Sequence, residues 1–195
     1  MKEIIVASTN EGKIKEIRAM LNEMGIEVKS IKDVFDQEID VEENGSTFKE
    51  NALIKAQTIC DMIHLPTLAD DSGLEVDAMN GAPGIYSARF MGHDTSYDIK
   101  NQHIIDMVKG KERGARYVCA MALVIPNEEP IIIEEYFEGE INDKQEGTHG
   151  FGYDPIFYVP ELGKTSGSLT LEEKNLYGHR GKALRKLYAI LKNKP

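Results

Sequence analysis

The sequence predicts an α/β fold with a mixed central β-sheet flanked by helices, on three observations. Strand-like and helix-like segments alternate early in the chain, a hairpin pattern fills the middle, and a helical apolar period closes it. The hairpin makes the sheet mixed and not strictly parallel. With 195 residues, 41% hydrophobic and 29% charged, the chain reads as a single domain over 1–195 able to bury a real core.

Ile4 to Ala7 is a short apolar run that fits a buried strand, followed by the polar turn Ser8-Thr9-Asn10-Glu11-Gly12. Ile14, Ile17, Leu21 and Met24 then recur at helical spacing until Gly25, a residue suited to ending a helix. Glu27 to Ile31 fits a second strand. From Phe48 to Ile63 the residues Phe48, Ala52, Ala56, Ile59, Cys60 and Ile63 form an apolar stripe, and Thr47 with Glu50 has capping-box spacing.

Thr67 to Ala69 leads into Asp70-Asp71-Ser72-Gly73, expected to end a strand, and Leu74 to Val76 reads as another short one. After the glycine loop at 80–84, Ser96 to Val108 carries Ile99, Ile104, Ile105 and Val108 as a helix. Ala115–Ile125 and Pro130–Phe137 flank the turn Pro126-Asn127 as a hairpin. Gly147 to Gly152 is a second glycine loop, Tyr153 to Val159 fits a strand, and a helix from about Gly181 to Leu191 closes the pattern.

The formal charge is −10, and it is unevenly spread. Asp33, Asp36, Glu38, Asp40, Glu42 and Glu43 crowd together, whereas Lys174, Arg180, Lys182, Arg185, Lys186, Lys192 and Lys194 follow Glu173 without an acid. An acidic chain is poorly matched to a nucleic-acid backbone, so no nucleic-acid partner is expected. A basic segment and an acidic one together suit a metal-bound polyphosphate, although a solvated loop and a basic helix account for the same charges. Cys60 and Cys119 sit in apolar stretches, as small buried hydrophobes of a reducing compartment do. No apolar run has membrane length, and a cytoplasmic location with no membrane partner is expected.

Four constellations could carry chemistry. Ser8, Thr9, Asn10, Glu11, Gly12 and Lys13 lie between a strand and a helix, where backbone N–H groups and a lysine can cradle phosphate; alone, they fit a capped turn equally well. Neighbours along a strand face opposite sides, so one of Asp70 and Asp71 can reach a site while the other braces the turn. With Glu43 close by, two carboxylates from separate segments could hold Mg²⁺, which takes its other ligands from water and phosphate. The third, 148–155, lets backbone approach a flat ligand while Phe151 or Tyr153 stacks on it, or forms a loop with an aromatic plug. The fourth is Lys174 with His179-Arg180, where Arg180 offers a planar fork for phosphate or a keto oxygen. Asn51 and Lys55 stand one helical turn apart and could face one ligand.

Six motifs occur in one order: Ser8–Lys13, Thr47–Ala52, Ala69–Leu74, Gly81–Arg89, Phe151–Pro155 and His179–Leu184. Together they resemble the inosine/xanthosine triphosphate pyrophosphatase family over nearly the whole chain. The resemblance implies an elongated two-lobed fold with the active site in the cleft, usually a homodimer, that hydrolyses XTP, ITP and dITP to monophosphate and pyrophosphate. It implies that Ser8 to Lys13 and Lys55 hold the triphosphate, that Glu43 and Asp71 bind Mg²⁺, and that Asp71 is the general base. Ser72 would contact substrate, Phe151, Gly152, Tyr153 and Asp154 would form the base-stacking segment, and Lys174, His179 and Arg180 would meet nucleobase and phosphate. A donor such as Arg180 would favour a 6-keto purine over adenine. A non-catalytic nucleotide sensor and a phosphohydrolase cleaving at the γ-phosphate are the alternatives.

Overall fold

A computed structural model describes residues 1–37 and 39–193; Glu38 of the acidic run and Lys194 of the basic end lie outside the described residues. In chain order the elements are β1 (Glu3–Val6), α1 (Glu11–Glu23), β2 (Glu27–Ser30), α2 (Phe48–Ile63), β3 (Thr67–Val76) and α3 (Tyr97–Met107). There follow β4 (Gly114–Val124), β5 (Ile131–Ile141), β6 (Phe157–Val159), β7 (Lys164–Thr165), α4 (Leu171–Tyr177) and α5 (His179–Lys192). The seven strands lie in the order β2-β1-β3-β4-β5-β6-β7. β1 is parallel to β2 (Ile4 opposite Val28) and to β3 (Ile5 opposite Thr67), while β6 is antiparallel to β5 and β7. The sheet is mixed, as the hairpin pattern predicts.

The chain forms two compact units. The first takes Met1–Asp71, Cys119–Glu135 and the segment from His179 onward. Its core is Ile4 and Val6 of β1, Ile14, Ile17 and Leu21 of α1, Met121 and Leu123 of β4, and Leu184 and Leu187 of α5. Gly25 ends α1 at a φ of +77°, and Ile26 N–H closes the turn on Leu21 O at 2.9 Å; a side chain there would meet the left-handed penalty. The second unit takes Ser72–Val118 and Tyr136–Gly178. Its core joins Leu74 and Val76 to Ile104 and Ile105 of α3, with Tyr117, Phe137, Phe157 and Leu169.

The structure departs from the sequence reading in five places. Asp70-Asp71-Ser72-Gly73 does not end a strand: β3 runs unbroken through it for ten residues. Turn-forming residues usually mark breaks, but here both carboxylates are matched by cations, so the strand continues. Tyr153 to Val159 is only partly strand, because Asp154–Ile156 forms a 3₁₀ turn around Pro155 before β6 begins. The last helix starts at His179, not Gly181, and α4 precedes it, announced by the capping box of Thr170 and Glu173. On α3, Ile99 is exposed and the buried positions are Lys100, Asn101, Ile104 and Ile105. Thr47 caps α2, but the Glu50 carboxylate binds Ser46 N and Oγ at 2.6 and 2.7 Å instead of completing a box with Thr47.

Candidate active site

In the first unit four elements bring charge together. Asn10 caps α1 by accepting from Lys13 N–H at 3.1 Å, and Ser8 Oγ accepts from Asn10 N–H at 3.2 Å. This fixes the β1–α1 junction, so Ser8, Thr9, Asn10, Glu11 and Gly12 form its surface while Lys13 turns inward. Lys13 Nζ meets Asp70 Oδ1 at 2.6 Å. Arg180, in the first turn of α5, donates from Nε to Asp70 Oδ2 at 2.9 Å and from Nη1 to Glu16, one turn beyond Lys13 on α1. Cys119 Sγ donates to Asp70 Oδ2 at 3.0 Å.

These partners decide the ionisation of Asp70. Burial alone would raise its pKa, but the Arg180 and Lys13 cations and the bonds from Arg180 and Cys119 reverse that and hold it well below the usual carboxylate range. Burial, and then Asp70, push the Cys119 thiol well up, so it stays a protonated donor. For Arg180 the lowering effect of burial is outweighed by Asp70 and Glu16, and its charge is secure. At 2% exposure its donors are turned to carboxylates of its own unit.

Asp71 is the contrasting neighbour. It is 6% exposed, and its Oδ2 is buried with no hydrogen-bond partner among the described residues. Lys55 of α2 stands 3.8 Å from Asp71 Oδ1, 3.2 Å from Glu43 Oε1 and donates to the Asp70 carbonyl at 2.8 Å. Burial is the largest influence on Asp71 and raises it; Lys55 and Lys13 oppose this, Glu43 and Asp70 add to it, and the carboxyl is pushed up to about 6. Glu43 is brought there by its own tether: Asn51 Oδ1, buried on α2, accepts from Gly45 N–H at 2.8 Å. A Cβ at Gly45 would lie 2.7 Å from that Oδ1, so the tether needs glycine.

Two carboxylates from separate segments, one with an orphaned buried oxygen, fit a hard divalent cation that keeps water and substrate oxygens as its other ligands. Among the described residues no three His, Cys, Asp or Glu side chains could form a closed metal cage.

In the second unit Asp154 is the hub. Its Oδ1 accepts from Tyr117 Oη at 3.1 Å and Ser166 Oγ at 2.9 Å; its Oδ2 accepts from Phe151 N–H at 2.8 Å and Lys174 Nζ at 2.5 Å. The Lys174 ammonium lies 4.6 Å from the Phe151 ring centroid, a cation–π contact that fixes the ring. Tyr153 is buried and donates from Oη to Ser87 O at 2.5 Å, so its ring is committed to the protein interior and is not free to stack on a flat ligand. Burial, with Tyr97 adding to it, raises the Tyr153 phenol well above its ordinary value.

The sequence pattern of the Ham1 family matches residues 4–190. The chain belongs to the Ham1 family. The dITP/XTP pyrophosphatase of Halalkalibacterium halodurans is 49% identical over 191 residues, covering 96% of this chain and 97% of the relative. That of Exiguobacterium sibiricum is 45% identical over 192 residues, covering 97% and 96%. The solved structure of the Staphylococcus aureus Ham1 protein superposes with a TM-score of 0.88 at 39% identity and covers all of both chains.

Within this Ham1 chain the structure joins Lys13, Lys55, Glu43, Asp71 and Arg180 in one unit, and Phe151, Gly152, Tyr153, Asp154 and Lys174 in the other. His179 is buried beside Arg180 at the start of α5, and Ser72 follows Asp71 in β3. The sequence reading does not single out Glu16, and it marks Cys119 as a small buried hydrophobe, which it is, without its bond to Asp70. Glu16 carried a signal, three residues from Lys13 on an otherwise apolar helical face; Cys119, in an apolar strand, carried none for that bond.

Proposed function

We propose that the chain hydrolyses XTP, ITP and dITP to the nucleoside monophosphate and pyrophosphate, removing non-standard purine nucleotides before they enter DNA and RNA. The observation that carries the reading is the Asp71 carboxylate: buried, left one hydrogen bond short and ringed by Lys55, Lys13 and Glu43, in a chain close to curated dITP/XTP pyrophosphatases. Lys13 and Lys55, with the α1 N-terminus at Ser8 to Gly12, hold the triphosphate; ammonium groups and a helix start both favour anionic oxygen. Asp71 takes the proton of the attacking water at the α-phosphorus, and its raised pKa suits that role near neutral pH. Lys13 and Lys55 oppose the charge that develops on the leaving pyrophosphate.

Glu43 and Asp71 are the residues that would hold Mg²⁺, which when bound neutralises phosphate charge and lowers the pKa of its water. Ser72, His179 and Lys174 are assigned to substrate contacts and Phe151 to Asp154 to the nucleobase, while Arg180 acts through Asp70, which it holds in place. By the same resemblance the working form is a cytoplasmic homodimer that binds neither nucleic acid nor membrane. Among the described residues no helix is long and apolar enough to cross a membrane. Light scattering and fractionation test the assembly and location.

The deciding experiment incubates the protein with ITP, XTP, GTP and ATP separately, with Mg²⁺ and with a chelator, and resolves the products by chromatography. Monophosphate with pyrophosphate from ITP and XTP, lost on chelation, is expected. Diphosphate with phosphate would move cleavage to the γ position, and binding without turnover would make the chain a sensor.

A further inference from the structure

We infer that the α3 face formed by Tyr97, Lys100 and Asn101 is a positioning platform for Phe151–Asp154, with Asn101 fixing the Gly152 carbonyl; the inference rests on that segment being the nucleobase contact. Asn101 is 1% exposed. Its Nδ2 donates to Gly152 O at 3.1 Å and to Gln145 Oε1 at 3.5 Å, and Gln145 in turn donates to Asp98 O at 3.0 Å in the first turn of α3. Its Oδ1 is buried without a hydrogen-bond partner among the described residues. A buried acceptor left unpaired is destabilising, and a position serving packing alone would hold an apolar residue, as Ile104 and Ile105 do on the same face. The amide is retained for what its donor end grips.

That carbonyl needs gripping. Gly152 has a φ of +65° and no side chain to restrict it, so its peptide could turn in several ways. The neighbours of Asn101 complete the hold. The Tyr97 ring meets Tyr153 edge-on at 5.2 Å, and the fully buried Lys100 places its ammonium 3.3 Å from Ala88 O and 4.8 Å from the Tyr97 centroid. Tyr153 Oη closes the circuit on Ser87 O, next to Ala88. The segment is thus pinned at Phe151 N–H by Asp154, at Gly152 O by Asn101 and at Tyr153 Oη by Ser87. Asn101 touches none of the residues assigned to the triphosphate, so it is a positioning residue for the base alone.

The test compares the full-length protein with Asn101→Asp, which turns the donor into an acceptor facing Gly152 O, and with Asn101→Ser. Three quantities are read: kcat and KM for ITP, the Kd for inorganic tripolyphosphate by calorimetry, and amide hydrogen exchange across 151–154. We expect the ITP KM to rise about tenfold, with kcat and the tripolyphosphate Kd changed by less than about twofold and exchange in 151–154 accelerated. Equal losses for ITP and tripolyphosphate, an unchanged KM with unchanged exchange, or failure of both variants to fold would overturn the inference. If the wild-type protein does not turn over ITP, the functional reading fails; the exchange measurement still decides whether Asn101 holds the segment.

Discussion

Asp70 in the first unit and Asp154 in the second are equally buried, at 1% exposure each, and solve the same problem differently. Asp70 is matched by charge, with Lys13 and Arg180 against its two oxygens and a thiol beside them. Asp154 faces one cation, Lys174, and three neutral donors from Tyr117, Ser166 and the Phe151 backbone. The first arrangement organises cations around a place where more negative charge can arrive; the second organises a ring and a loop. Both differ from Asp71, whose Oδ2 is left short. A saturated carboxylate holds geometry, and a carboxylate left short is available for chemistry.

The sharpest way to break this contrast is Asp71→Asn. Losing the base alone costs about 10²–10⁴-fold in rate, and with a metal ligand also impaired we expect turnover to be abolished. Circular dichroism and pyrophosphate release check fold and activity together; retained activity would end the base assignment. The opposite result is expected in the second unit, where Asp154→Ala strands the buried Lys174 ammonium and lowers stability by about 3–5 kcal/mol, measured by urea unfolding.

The third prediction is a pH dependence. Asp71, raised to about 6 in the metal-free fold, binds protons more readily folded than unfolded, so its contribution to stability falls as pH rises from about 4 through 6. Metal-free Asp71→Asn is therefore expected to exceed wild type by an amount on the order of 1–3 kcal/mol above pH ~7, converging below pH ~4. Thermal unfolding with chelator at several pH values tests this, and equal curves would show that the carboxylate is not strained. The smallest effect concerns placement of Lys55. Thr47→Ala, which removes the α2 cap, is expected to lower stability by about 1 kcal/mol, read as a shift in the urea midpoint.

The sequence reading located α2 to the residue, because Thr47 at the cap and the Phe48–Cys60 stripe agree. The mixed sheet was legible from the hairpin pattern, and Glu43, Asp71 and Lys13 each stood out as charge next to turn chemistry, whereas Lys55 was marked only by standing one helical turn from Asn51. What the sequence hid was partnership. Nothing local announces that Arg180 crosses to Asp70 and Glu16, since the bond joins residues more than a hundred positions apart. The same blindness made Asp70-Asp71 look like a strand end, because a local rule assigns acidic residues to turns and cannot see the cations that keep them in a sheet. Asn101 was missed for a different reason: the periodicity highlighted Ile99, and the true buried face runs through polar residues.

Lys13 and Lys55 both donate to the one carbonyl oxygen of Asp70, at 3.4 and 2.8 Å, from two different helices. That oxygen has two lone pairs, so under the proposed function either ammonium can turn toward a phosphate while the other still donates to the carbonyl. Ligand capture there need not open a gap in the β3 backbone. The duplication is a spare tether: were one lysine to turn to a ligand, the other would still hold the Asp70 carbonyl.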